Sequence, residues 1–301
     1  MKKKILIVGG TGFLGKSLQK KCLLKDLEVT VLSSSKKKEK KRIKQIFCDI
    51  SKKKELTKKL NNKTFDFVVN LAGYIDHSKK IKTLKTHYDG CKNLADHFKN
   101  KRLEKFIQIG SSVEYGRSKA PQTEDKKISQ NYLKSYYGQA KFKSTQYLLK
   151  LHKQKSFPCT ILRLFLVYGP GQSQNRLIPF VVKNSLMNKS FNSSSGNQLR
   201  DFLYIDDAIN SIMKCLKNKE SNGHILNICS GSPVKIKFII NEICKKIKRG
   251  RPIFGKINLR PDEPLQLYSN YQKAKKFLGW KPKTKLSVGL NKTIKFYEKR
   301  I

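Results

Sequence analysis

The 301-residue chain is 38% hydrophobic, and its apolar residues fall in short clusters rather than runs of about eighteen or more, which excludes a helical membrane span and leaves room for a nucleotide domain with a smaller lobe. Its 66 Lys and Arg against 21 Asp and Glu give a formal charge of +45, yet the lysines are spread over nearly every helix face and loop instead of one aromatic-lined stripe, which argues against a specific nucleic-acid site. The seven cysteines are scattered, with no Cys-x-x-Cys pair and no His at ligand spacing; they offer neither a disulfide framework nor a metal site, and they fit reduced core thiols in a cytoplasmic protein.

Apolar, β-branched clusters at residues 5–8, 29–32, 67–71, 106–109, 160–164 and 225–228 predict strands. Between the earlier ones, Leu14, Leu18 and Cys22, and then Leu84, Tyr88, Cys91 and Leu94, recur at helical spacing. Strand and helix therefore alternate, which predicts an α/β fold of Rossmann type: a doubly wound parallel sheet with ligands at the carboxyl ends of its strands. After Tyr168 the alternation weakens, residues 188–198 read as a long loop or short hairpin, and a last helix is expected near residues 286–297. The expected division is a dinucleotide-binding domain over 1–168, with a returning strand near 224–229, and a smaller C-terminal α/β lobe over 169–301 that binds substrate.

The first strand runs into Gly9-Gly10-Thr11-Gly12-Phe13-Leu14-Gly15. Glycines permit a tight turn and close backbone approach, and a helix opening after Gly12 aims its N–H groups and positive dipole at a pyrophosphate. Gly9, Gly12, Phe13, Leu14 and Gly15 are thus candidate cofactor contacts. At the end of the second strand, where an acid would bond a ribose 2′-hydroxyl, stands Ser33, followed by Ser34, Ser35 and Lys36. The cofactor is NAD or NADP, with Ser33 and Lys36 inclining slightly to the 2′-phosphate of NADP. Asp49 and Ile50 are placed beside the adenine, and Ala72 and Gly73 leave the cofactor room.

The strand at 106–109 leads into Gly110-Ser111-Ser112-Val113-Glu114-Tyr115-Gly116, and further on comes Tyr136-Tyr137-Gly138-Gln139-Ala140-Lys141. Four residues apart on a helix, Tyr137 and Lys141 share a face, so the ammonium can favour the phenolate and let Tyr137 exchange a proton with a sugar or alcohol oxygen held by Ser111. Tyr88/Lys92, Tyr115/Lys119 and Tyr271/Lys275 match the same spacing; the serine-rich strand end upstream favours Tyr137. Tyr88 and Tyr115 are expected to pack.

With these residues in place, the chain resembles the extended short-chain dehydrogenase/reductase family, the NAD-dependent epimerases and dehydratases of sugar nucleotides. Further landmarks are the runs at 162–172 and 200–208, Asn227-Ile228-Cys229-Ser230-Gly231, Arg260-Pro261-Asp262-Glu263 and Leu278-Gly279-Trp280-Lys281-Pro282. The resemblance implies that Arg200 and Arg260 contact the substrate's diphosphate, and that the protein is a homodimer joined through helices around 84–98 and 137–151. Two departures matter. Ser112 and Val113 stand where the family's 4,6-dehydratases carry acids, which argues against dehydration, and Leu166 replaces the usual asparagine before Val-Tyr-Gly-Pro. The expectation is C4 epimerisation of a nucleotide-linked hexose through a 4-keto sugar. The alternatives are a 4-keto-6-deoxysugar reductase using NADPH, or a non-catalytic dinucleotide-binding protein.

Overall fold

A computed structural model describes residues 1–35, 42–74, 79–259 and 263–300. Its strands are β1 (Lys4–Val8), β2 (Glu28–Ser33), β3 (Ile43–Phe47), β4 (Phe67–Asn70), β5 (Lys105–Ser111), β6 (Cys159–Leu164), β7 (Leu166–Tyr168), β8 (Ser190–Asn192), β9 (Leu199–Tyr204), β10 (His224–Ile228), β11 (Pro233–Lys235), β12 (Arg251–Ile253) and β13 (Gln266–Leu267). Its α-helices are α1 (Phe13–Leu24), α2 (Lys53–Leu60), α3 (Lys80–Leu84), α4 (Gly90–Phe98), α5 (Tyr136–Lys155), α6 (Leu177–Leu186), α7 (Ile205–Leu216), α8 (Ile236–Ile247), α9 (Gln272–Leu278) and α10 (Leu286–Glu298).

Seven strands form one sheet in the order β10-β6-β5-β4-β1-β2-β3, and every pairing in it is parallel. From β1 the chain works outward through β2 and β3, then returns to lay β4 on the other side of β1. The reversal leaves a crevice above the carboxyl ends of β1 and β4, the place where a doubly wound sheet takes its ligands. Both faces of the sheet are buried, so its central strands read as continuous apolar runs. Alternate residues serve opposite sides: Ile5 and Ile7 pack with Leu18 and Cys22 of α1 and the apolar stripe of α7, while Leu6 and Val8 pack with Leu56, Leu94 and Leu148 from α2, α4 and α5.

The strands expected from the sequence all form, and the sheet gains β3, whose sequence Ile-Lys-Gln-Ile-Phe sets two polar residues side by side and so shows neither an apolar run nor a strict alternation. Residues 188–198 are neither plain loop nor hairpin, since β8 within them pairs in parallel with β12, far along the chain. The helix read from Leu84, Tyr88 and Cys91 is broken in its middle by a π-helical turn, Lys85–Asp89. Two smaller sheets, one of β7, β9, β11 and β13 and one of β8 and β12, are built mostly from the chain after Tyr168.

Lys105, at the start of β5, is 1% exposed and donates to the Asn218 carbonyl at 2.6 Å, Ser221 Oγ at 2.8 Å and Asn222 Oδ1 at 2.5 Å. Burial holds its ammonium below the usual lysine range. No helix among the described residues is long and apolar enough to cross a membrane.

Candidate active site

The turn after β1 is built by contacts that only glycine allows. Gly9 has φ +74°, and a Cβ there would lie 2.8 Å from the Ala72 backbone beyond β4. At Gly15 a Cβ would stand 2.3 Å from the Gly10 carbonyl, so α1 can begin against the turn only without a side chain. Gln19 Nε2 closes the arrangement with a 2.6 Å bond to that same carbonyl. Gly12 differs: it is exposed, and the nearest atom to a Cβ there is Gly9 O at 3.5 Å. It is also the N-cap of the twelve-residue α1 and supplies no capping side chain, so the N–H groups of Phe13 and Leu14 open on the cleft. A helix start with no side chain at its N-cap, beside a β-strand end, is shaped for a phosphate group, and a dinucleotide fits it.

The cleft has a volume of about 1440 Å³ and brings together Gly9, Gly12, Phe13, Leu14, Gly15, Ser33, Asp49, Ile50, Ala72, Ser111, Tyr137, Lys141 and Arg200. Arg260 and Lys36 lie outside the described residues. Ser33 is buried and its hydroxyl donates to the Ser35 carbonyl at 2.8 Å. Asp49 Oδ1 accepts from the amide and hydroxyl of Ser51, at 2.9 and 2.8 Å. Ala72 N donates to Asn70 Oδ1 at 3.1 Å, and Asn70 is braced by Gln108 at 2.8 Å, which fixes the start of the cleft-lining segment 72–74.

Ser111 ends β5 and caps the 3₁₀ turn Ser112–Tyr115, whose Glu114 reaches back to the Ser111 amide at 2.8 Å. Glu114 itself is fully buried: Oε2 accepts from Thr145 Oγ1 at 2.7 Å and pairs with Arg163 at 3.0 Å. The Arg163 guanidinium lies 4.6 Å over the Tyr115 ring, and Tyr115 donates to Asn227 Oδ1 at 2.8 Å. The acid beyond Val113 thus faces the core rather than the cleft.

Helix α5 is capped by Ser135, whose hydroxyl accepts from Gly138 N at 3.1 Å. Tyr137 is therefore in the first helical turn, and Gly138 lets that turn sit against the Ser111 loop, since a Cβ would come within 3.1 Å of Val113 O. One turn on, Lys141 is 4% exposed; its ammonium donates to the Ile109 carbonyl at 2.7 Å and lies 5.9 Å from the Tyr137 ring centroid. Bonding to the β5 main chain holds this charge beside the phenol.

On the opposite wall, Arg200 of β9 is 6% exposed and pairs with Glu263 at 2.7 Å. Its neighbour Asp201 accepts the amides of Ser230 and Gly231 at 2.6 and 2.8 Å, while the Trp280 indole donates to the Asp207 carbonyl at 3.1 Å. Several sequence landmarks are thus bonded to one another and serve the scaffold. Leu166 is exposed in the cleft. The sequence reading passed over Lys82, Lys134 and Arg176, which also line the cleft; in a chain this rich in lysine, charge carried no positional signal. It also passed over His87, a buried imidazole at the heart of the site.

Comparison with known proteins agrees with this architecture. The family model for the NAD dependent epimerase/dehydratase family matches residues 5–229. A putative UDP-glucose 4-epimerase of Methanocaldococcus jannaschii is 27% identical, covering 96% of this chain and 97% of its own. Protein CapI of Staphylococcus aureus is 27% identical and covers 98% of each chain. Among solved structures, the UDP-glucuronic acid 4-epimerase of Bacillus cereus, in complex with UDP-glucuronic acid and NAD, superposes with a TM-score of 0.88 at 27% identity, covering 99% of this chain and 100% of its own. A Rossmann-type sheet, a helix with a glycine N-cap at its switch point and a match across most of the chain lead to one conclusion: this protein belongs to the NAD dependent epimerase/dehydratase family.

Proposed function

We propose that the protein is a nucleotide-sugar C4 epimerase that uses NAD. The observation that carries this reading is the meeting of Ser111, Tyr137 and Lys141 in the cleft that also holds the Gly9–Gly15 turn. When bound, NAD accepts a hydride from a carbinol carbon and can return it. The chain's own groups do the proton chemistry. Ser111 hydrogen-bonds the C4 oxygen, and Tyr137 removes its proton as the carbon becomes a ketone. The Lys141 ammonium stabilises the phenolate during that transfer and the phenol returns the proton when the C4 hydroxyl re-forms on the opposite face. The 4-keto sugar must turn over between the two steps, and the breadth of the cleft leaves it room.

Dehydration is disfavoured, because neither Ser112 nor Val113 is an acid and Glu114 is committed to Arg163. The cleft is lined by the cations Lys82, Lys134, Lys141, Arg176 and Arg200 against Asp49 and Glu263, which favours an anionic ligand such as a nucleoside diphosphate sugar. We assign Arg200, with Arg260, to the diphosphate; Glu263 holds the Arg200 guanidinium in reach of the cleft. The Bacillus cereus enzyme, whose structure contains UDP-glucuronic acid and NAD, supports the same ligand class here. The reductase alternative leaned on Ser33 and Lys36, and the Ser33 hydroxyl is already engaged within its own turn.

Incubation with NAD and UDP-glucose or UDP-glucuronic acid, followed by NMR of the sugar, should show the C4 epimer with no net change in cofactor. Tyr137→Phe should lower turnover on the order of 10²–10⁴-fold, the usual contribution of a general acid–base group, while NAD binding persists. Undiminished turnover in that variant would remove the assignment.

A further inference from the structure

His87 occupies the middle of the π turn between α3 and α4. A π turn adds a residue to the helical repeat and redirects the side chains around it, and such turns recur at functional sites. Here it sends the imidazole inward, 4% exposed, against the segment 72–74 and the first turn of α5. Nε2 lies 3.1 Å from the Tyr74 amide nitrogen. The same Nε2 lies 3.3 Å from the Tyr74 carbonyl oxygen, so it meets both main-chain groups of Tyr74, accepting from the amide in one tautomer and donating to the carbonyl in the other. The ring also stands edge-on to Tyr137, with centroids 4.8 Å apart and planes at 68°. Gly73 makes space for it, since a Cβ there would fall 2.8 Å from His87 Cε1. Finally, the His87 carbonyl accepts from Ser144 Oγ of α5 at 2.8 Å, which fixes the π turn to the helix that carries Tyr137 and Lys141.

We propose that His87 is a positioning residue for Tyr137, tying the cofactor-facing segment 72–74 and the phenol ring into one arrangement. This rests on the reading of Tyr137 as the proton-transferring group. One imidazole touches both walls between which the sugar carbon and the cofactor must meet, so its loss loosens the alignment of the reacting groups without removing a substrate contact. The effect falls on kcat and spares KM.

The test uses the full chain with NAD and the UDP-sugar that wild type turns over fastest, in His87→Leu and His87→Gln. Glutamine can present an acceptor near the position of Nε2, and leucine cannot. In His87→Leu, kcat should fall about tenfold or more while KM stays within about threefold. Amide hydrogen exchange at Tyr74, which needs no turnover, should lose its protection in the same variant. His87→Gln should recover most of both. The proposal is overturned if His87→Leu keeps the wild-type kcat, or if kcat, KM and melting temperature fail together in both variants. Should His87→Leu not fold, His87→Phe keeps a ring against Tyr137 and removes the acceptor; it should still expose the Tyr74 amide and lower kcat, and a wild-type kcat there overturns the proposal. Tyr137→Phe keeps the two readings apart: if it is inactive while His87→Leu is fully active, only the role of His87 fails.

Discussion

Glu114 shows how much one side chain's direction decides. Its carboxylate is fully buried, bonded to the Ser111 amide, Thr145 and Arg163, so it shapes the serine loop from behind instead of facing the cleft. A buried ion pair is costly to leave half made. Glu114→Gln keeps an acceptor for the Ser111 amide but strands the Arg163 guanidinium, and should destabilise the protein by about 3–5 kcal/mol in urea unfolding. The double variant Glu114→Gln/Arg163→Met removes the stranded charge and should recover more than half of that loss. Recovery of none would mean that Arg163 is held chiefly by its stacking on Tyr115. None of this was legible in the sequence, where Glu114 is simply one place beyond the family's acid positions and its partner lies 49 residues away. His87 was hidden for a related reason. Its burial depends on a π turn that regular helical spacing does not reveal, and on a glycine at 73 that reads as room for the cofactor.

At the scale of elements, the glycine turn separates two requirements that its sequence presents together. Gly15 is needed by the fold, whereas Gly12 is under no such constraint and is the glycine we propose the ligand needs. Gly15→Ala pushes a methyl group to 2.3 Å from the Gly10 carbonyl and should lower thermal stability whether or not cofactor is present. Gly12→Ala meets nothing closer than 3.5 Å, so the apo protein should melt as wild type does. Its NAD affinity should nevertheless fall about tenfold or more, a change of about 1.4 kcal/mol. Differential scanning fluorimetry with and without NAD distinguishes the cases, and equal behaviour of the two variants would contradict this division. The turn, the sheet and the Tyr137/Lys141 helix were legible because each is written in a few consecutive residues with a local periodicity. β3 was not, since Lys44 and Gln45 dilute its pattern, and the pairing of β8 with β12 joins segments that share no local signal.

The whole molecule carries a formal charge of +45, and self-repulsion on that scale opposes compactness while drawing anions to the surface. Raising salt from about 0.05 to 0.5 M shortens the Debye length from roughly 14 to 4 Å. Two opposite effects should follow: melting temperature rises as repulsion is screened, and KM for the nucleotide sugar rises as attraction is lost, with kcat little changed. A KM indifferent to salt would mean that local contacts alone capture the substrate. The return of β10 to the sheet has a consequence for how such a chain can be made. Until residue 228 has emerged from the ribosome, β6 has an open flank, and Lys105 lacks the oxygens of residues 218–222 that surround its charge. The seven-stranded sheet therefore cannot be completed until about sixty residues beyond Tyr168 have been synthesised, and a nascent chain halted near residue 168 would present a ready-made template for pairing with another chain.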